Sequence, residues 1–118
     1  MVMRQFVHAV KKFWVYHIAR VRVPKLPQDA PVRVAYRFFG KVQNVGFRYE
    51  MSEVARLLSL TGFAENWADG TVYAEVQGGK TRVEYMKRHM RVLRRASVSA
   101  VEEQPLPLVP KESGFGIG

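Results

Sequence analysis

Between Val32 and Phe39 the chain alternates, with Val32, Val34, Tyr36 and Phe38 on one side and Arg33, Arg37 and Phe39 on the other. That is the two-residue period of a β-strand. Past residue 46 the period lengthens. Phe47, Met51, Val54, Ala55 and Leu58 fall on one helical face, which predicts a helix over 47–60. Thr61 and Gly62 are expected to stop it, glycine being the residue that best takes a left-handed cap. Phe63 to Ala68 and Thr71 to Gln77 return to the strand pattern and are joined at Asp69 and Gly70, a hairpin signal. A second helix is predicted from Thr81, whose hydroxyl and Glu84 have capping-box spacing. Its inner face is Val83, Met86, Met90 and Leu93, and its outer face carries Arg82, Lys87, Arg88, Arg91, Arg94 and Arg95. Ala96 to Glu102 reads as a fourth strand with Val98 and Ala100 inward. Pro105, Pro107 and Pro110 make the next segment irregular before a last strand at Phe115 to Ile117.

The order βαββαβ predicts an α+β sandwich. An antiparallel sheet with two helices on one face buries both apolar stripes and leaves the opposite face to solvent. This is the ferredoxin-like arrangement.

Composition adds little for the domain and more for what precedes it. With 118 residues there is room for one core and not two, and a 47% hydrophobic fraction is that of an ordinary globular chain. Cysteine is absent, which excludes disulfides and thiolate nucleophiles, and the three histidines lack ligand spacing, so no metal and no cofactor is expected. The formal charge of +9 is uneven: 6 of the 19 basic residues lie in residues 1–28 without an acid, leaving 13 against 10 acidic residues in the remainder. The whole-chain charge therefore does not argue for nucleic-acid binding by the domain. Residues 1–30 are read as a basic N-terminal extension ahead of a domain over 31–118, with Pro24, Pro27 and Pro31 marking the linker between them. Phe6, Val10, Phe13, Trp14, Ile18 and Val21 are loosely at helical spacing, open to three readings: a packed accessory element, a segment resting on anionic membrane, or a poorly ordered extension. Membrane contact is the less favoured of these, and no run reaches the length of a membrane span.

Chemistry concentrates between the first strand and the first helix, in GKVQNVGFR from Gly40 to Arg48. Two glycines let the backbone adopt conformations closed to other residues and approach a ligand closely. The loop opens into a helix whose first amides lack partners and carry partial positive charge, a place that attracts anions. Arg48 adds a planar guanidinium able to grip two oxygens of a phosphate. An ordinary strand-to-helix connection with an exposed arginine stands beside this as an equal reading of the same residues.

Gly40, Val42, Gln43, Val45, Phe47 and Arg48 resemble the active-site signature of the acylphosphatases. Gly62, Phe63, Ala64, Asn66, Gly70, Val72 and Gly78 match that family's second signature, in order and at its spacing. The resemblance covers residues 32–103, with an echo at Phe115 and Ile117, and implies the same ferredoxin-like fold. It implies hydrolysis of acyl phosphates in which Gly40, Lys41, Val42, Gln43, Asn44, Val45, Gly46, Phe47 and Arg48 bind phosphate, Arg48 being catalytic with Asn66, which positions the attacking water. A carboxylate leaving group needs no protonation at neutral pH, so a general acid is dispensable. His89, on the second helix, is expected to be a partly buried packing residue far from the loop.

Two residues depart from the family pattern. Asn44 stands within the cradle where glycine or histidine is usual, and asparagine tolerates left-handed backbone. Glu65 stands where a basic or neutral residue is usual, and alternation points it away from the face of Asn66. The competing reading is a catalytically weak regulatory or polyanion-binding module. An RNA-recognition domain shares the order of elements, but the third strand has only Tyr73 for stacking and carries Glu75. The expectation is thus a cytoplasmic, metal-independent monomer acting on a small acyl phosphate, without a specific nucleic-acid partner.

Overall fold

Seven elements follow one another in the computed structural model, which describes residues 21–118: β1 (Pro31–Lys41), α1 (Phe47–Leu57), β2 (Thr61–Asn66), β3 (Val72–Gly79), α2 (Lys80–Arg91), β4 (Ser97–Leu106) and β5 (Phe115–Ile117). The expectations for residues 1–20 lie outside the described residues. The strands form one sheet in the order β4-β1-β3-β2-β5, antiparallel except for β5, which runs parallel to β2. Both helices pack on one face, as the βαββαβ order implies. Tyr36, Phe38, Ala64, Val72, Ala74 and Val76 from the strands meet Phe47, Met51, Val54, Ala55, Val83, Met86 and Met90 from the helices. Val21, Val23 and Leu26 pack against this core from the stretch before β1. Among the described residues no helix is long and apolar enough to cross a membrane.

The boundaries differ from the sequence reading where tertiary partners supply what local pattern did not. Helix α1 ends at Leu57, and the left-handed residue after it is Ser59 (φ 55), not Gly62. Ser59 N–H donates to the Arg56 carbonyl and Leu60 N–H to the Ala55 carbonyl at 2.8 Å, the paired bonds of a Schellman end. Gly62 sits inside β2, where a Cβ would lie 1.8 Å from the Glu75 carbonyl oxygen; its glycine is required by the neighbouring strand. Helix α2 is not capped by its own Thr81. Asp29, from the stretch before β1, accepts from the Thr81 amide at 3.2 Å and hydroxyl at 2.6 Å. Arg82, expected on the solvated face, donates to the carbonyls of Leu26 and Leu58, stapling that stretch and the end of α1 together.

Strand β4 runs through Pro105 to Leu106, longer than expected, because as a sheet edge it needs donors on one side only. Its register against β1 shifts between Phe39 and Gly40, which reverses the alternation. Val98 and Val101 therefore reach the core and Ala100 is exposed. The β2–β3 connection is also longer than a two-residue hairpin, spanning Trp67 to Thr71.

The opposite sheet face is not simply left to solvent. Arg33 is only 4% exposed. It pairs with Glu75 of β3 at 3.0 Å and with Glu112 at 2.8 Å, from the irregular segment that folds back over this face. Gln77 holds the same segment through both the N–H and the carbonyl of Val109.

Candidate active site

The bulge that ends β1 also turns the chain out of the sheet. Gly40 has φ +112, and a Cβ there would meet the Ser97 carbonyl at 2.0 Å, so only glycine fits. Gly40 and Lys41 still belong to the ladder with β4, paired with Val98 and Ser97. Val42 is buried in the core, and at the other end of the loop Phe47 packs its ring edge-on against Phe38 at 5.1 Å. The loop is anchored by apolar side chains at both ends.

Between the anchors the backbone alternates in hand. Asn44 (φ 63) and Gly46 (φ 74) are left-handed, while Gln43, Val45 and Phe47 are not. Alternation of this kind turns successive N–H groups toward one concave side, which suits an anion. Among the described residues, no backbone carbonyl accepts from the amides of Gln43 through Arg48, and the first helical bond runs from Glu50 N–H to the Gly46 carbonyl at 2.9 Å. The positive end of α1 is thus added to a run of unspent donors.

Arg48, half-buried in the first turn of α1, donates through Nη1 to the Gly118 carbonyl. The Gly118 amide in turn donates to the Ala64 carbonyl at 2.8 Å. Asn66 is exposed and lies two residues beyond Ala64, on the same side of β2. Gln43 closes the arrangement from the other direction, its Nε2 donating to the carbonyls of Trp67 at 2.8 Å and Thr71 at 3.0 Å. Arg48, Asn66 and the Gln43–Phe47 backbone are thereby gathered at one end of the sheet. Glu65 accepts from Trp67 Nε1 at 3.1 Å. Arg37 lies 4.8 Å over both the Phe39 and Trp67 rings and pairs with Asp69, on the opposite face from Asn66.

A buried ionic cluster behind the loop escaped the sequence reading. Glu50 is 4% exposed and accepts from His89 Nε2 at 2.8 Å and from Arg95 Nη2 at 2.7 Å. Arg95 Nε donates to the Val45 carbonyl at 3.1 Å. His89 is partly buried as expected, but through Glu50 and Arg95 it is connected to the loop. Burial pushes the Glu50 carboxyl up, yet the hydrogen bonds from His89 and Arg95 outweigh it and hold the group below its ordinary value of 4.5. The signal was present: Glu50 lies three residues after Phe47 and four before Val54, on the inner face, where a carboxylate must find cations.

Two helices over one face of a mostly antiparallel sheet define an α+β sandwich, with a strand-loop-helix corner that offers amides and a guanidinium at the same end of the sheet as an asparagine. The sequence profile of one family, Acylphosphatase, matches residues 34–117. An acylphosphatase of Clostridium perfringens is 37% identical over 87 residues, a match covering 71% of this chain and 96% of that protein. One of Thermococcus kodakarensis is 49% identical over 53 residues, 45% of this chain and 58% of that protein. Among solved structures, an acylphosphatase from Coxiella burnetii matches with a TM-score of 0.69 at 26% identity, covering 75% of this chain and 93% of that one. The chain belongs to the acylphosphatase family.

Proposed function

We propose that this acylphosphatase cleaves the carboxyl-phosphate bond of acyl phosphates by direct in-line attack of water, releasing a carboxylate and inorganic phosphate. The observation that carries the reading is the run of amides from Gln43 to Arg48, with alternating backbone hand and no backbone acceptor among the described residues. These amides and the Arg48 guanidinium meet the equatorial phosphoryl oxygens. Hydrogen bonds to a charged group contribute about 1.5–3 kcal/mol each, so several acting together supply much of an ordinary rate enhancement. Asn66 orients the water, its carboxamide both donating and accepting without competing as a charged nucleophile. Phosphorus passes from the carboxylate oxygen to the water oxygen, and the water proton leaves to solvent. The departing carboxylate is a weak base, so no general acid and no metal is required.

Action as a monomer, a cytoplasmic setting and a catalytic unit over 31–118 complete the proposal. The test is hydrolysis of acetyl phosphate or benzoyl phosphate in the presence of a chelator. Turnover by the wild type is expected, and Arg48→Ala and Asn66→Ala should each lower kcat by at least about a hundredfold while retaining the wild-type circular dichroism. A folded wild type that leaves both substrates intact would rule the reading out.

A further inference from the structure

Building on that functional reading, we propose that Arg95 is a positioning residue of the phosphate cradle, holding the Val45 carbonyl against buried Glu50 so that the Gly46 amide faces the phosphoryl group. In a planar trans peptide the carbonyl of one residue and the N–H of the next point in opposite directions. Fixing the Val45 oxygen therefore fixes the direction of the Gly46 donor. Arg95 Nε fixes it at 3.1 Å, and Arg95 is itself fixed by its 2.7 Å bond to Glu50. The next peptide is fixed by the same residue from its backbone: Glu50 N–H bonds the Gly46 carbonyl at 2.9 Å, which orients the Phe47 amide. One buried glutamate thus sets two consecutive cradle donors, one through its own N–H and one through Arg95.

The Val45–Gly46 peptide needs such a fixture more than its neighbours. Left-handed residues flank Val45, Asn44 before it and Gly46 after it. Glycine on the N–H side lets the plane turn over at little cost. Turning it over replaces a donor with a carbonyl oxygen facing the phosphate, converting attraction into repulsion. In the observed arrangement this would break a hydrogen bond from a guanidinium, stronger than one between neutral groups. His89 occupies the second oxygen of Glu50, so both carboxylate oxygens are held. Because Glu50 neutralises Arg95, the pair contributes direction more than net positive charge.

The experiment compares full-length wild type, R95Q and R95K for acetyl phosphate turnover and for inhibition by inorganic phosphate, well below the melting temperature. R95Q is expected to raise both the phosphate inhibition constant and KM on the order of tenfold with a smaller change in kcat, since the lost donor serves bound phosphate and transition state alike. R95K, which keeps a cation but not the two-sided grip, should recover part of the loss. A residue that merely packs would lower Tm and leave both constants within about twofold, and that result would overturn the proposal. If R95Q does not fold, the same two constants for R95K decide: a rise of about threefold or more supports the clamp and unchanged values refute it. An inactive wild type would bring down the functional reading, and the clamp with it, whereas an active wild type with unaltered variants removes only the clamp.

Discussion

Gln43 shows how one side chain ties two parts of the candidate site that lie far apart in sequence. Its amide reaches the carbonyls of Trp67 and Thr71, on either side of the turn that follows Asn66. In Gln43→Ala the cradle would still be held by Val42 and Phe47 in the core, but it would lose its register against the hairpin. We predict a loss of about tenfold in kcat/KM, about 1.4 kcal/mol of transition-state stabilisation. Circular dichroism should stay unchanged, and steady-state kinetics on acetyl phosphate decides. A variant with wild-type kinetics would show that the loop needs no such tie. Asn44 makes a different point: it holds φ 63 in the middle of the cradle, where asparagine is among the few residues that tolerate a left-handed backbone.

At the scale of elements, each helix has its ends completed by something outside its own pattern. Helix α1 closes on a left-handed Ser59, a conformation that costs a non-glycine residue about 1–2 kcal/mol. Ser59 is exposed, so Ser59→Gly should relieve strain without disturbing packing. Allowing for the greater freedom glycine has in the unfolded chain, we predict a net gain of about 0.5–1 kcal/mol, or roughly 3–6 °C in Tm. Calorimetry measures it, and an unchanged or lower Tm would show that the strain is already compensated. The Schellman bonds were not legible because the helical pattern continues through Leu58 and Leu60, and only the geometry of the end shows that Leu60 has turned back onto Ala55. The cap of α2 was hidden for another reason. Thr81 and Glu84 have the spacing of a capping box, but Asp29, 52 residues away, takes the Thr81 donors. Local spacing names a candidate cap; the fold decides which carboxylate arrives first.

Across the whole molecule, buried cations and carboxylates join segments that hydrophobic patterning leaves unconnected. Glu50 links α1 to α2 and to the approach to β4, and Arg33 links β1 to β3 and to the segment before β5. Burial pushes the carboxyls of Glu50 and Glu112 up, but their hydrogen bonds, from His89 and Arg95 and from Arg33 and Thr61, hold both below 4.5. A carboxylate lowered on folding adds stability that is complete above its unfolded value and is lost as pH falls through the folded one. Stability should therefore hold from neutral pH down to about 5 and decline below about 4.5, as urea midpoints between pH 7 and 3 would show. Glu50→Gln should be less stable at pH 7 and decline less steeply in acid, and a wild-type midpoint independent of pH would contradict the account. The alternation of β1, the helical faces around Met51 and Met86, and the glycines bracketing residues 41–45 were enough to determine the βαββαβ order and the loop where phosphate chemistry is sought, because period and backbone freedom are local properties. Which distant groups meet is settled by the assembled fold alone: Gln43 with the turn at Trp67, Asp29 with Thr81, Gly62 with the Glu75 backbone, Arg95 with Val45. Those choices depend on directions and separations of a few ångströms across the assembled sheet, and a one-dimensional pattern carries no such information.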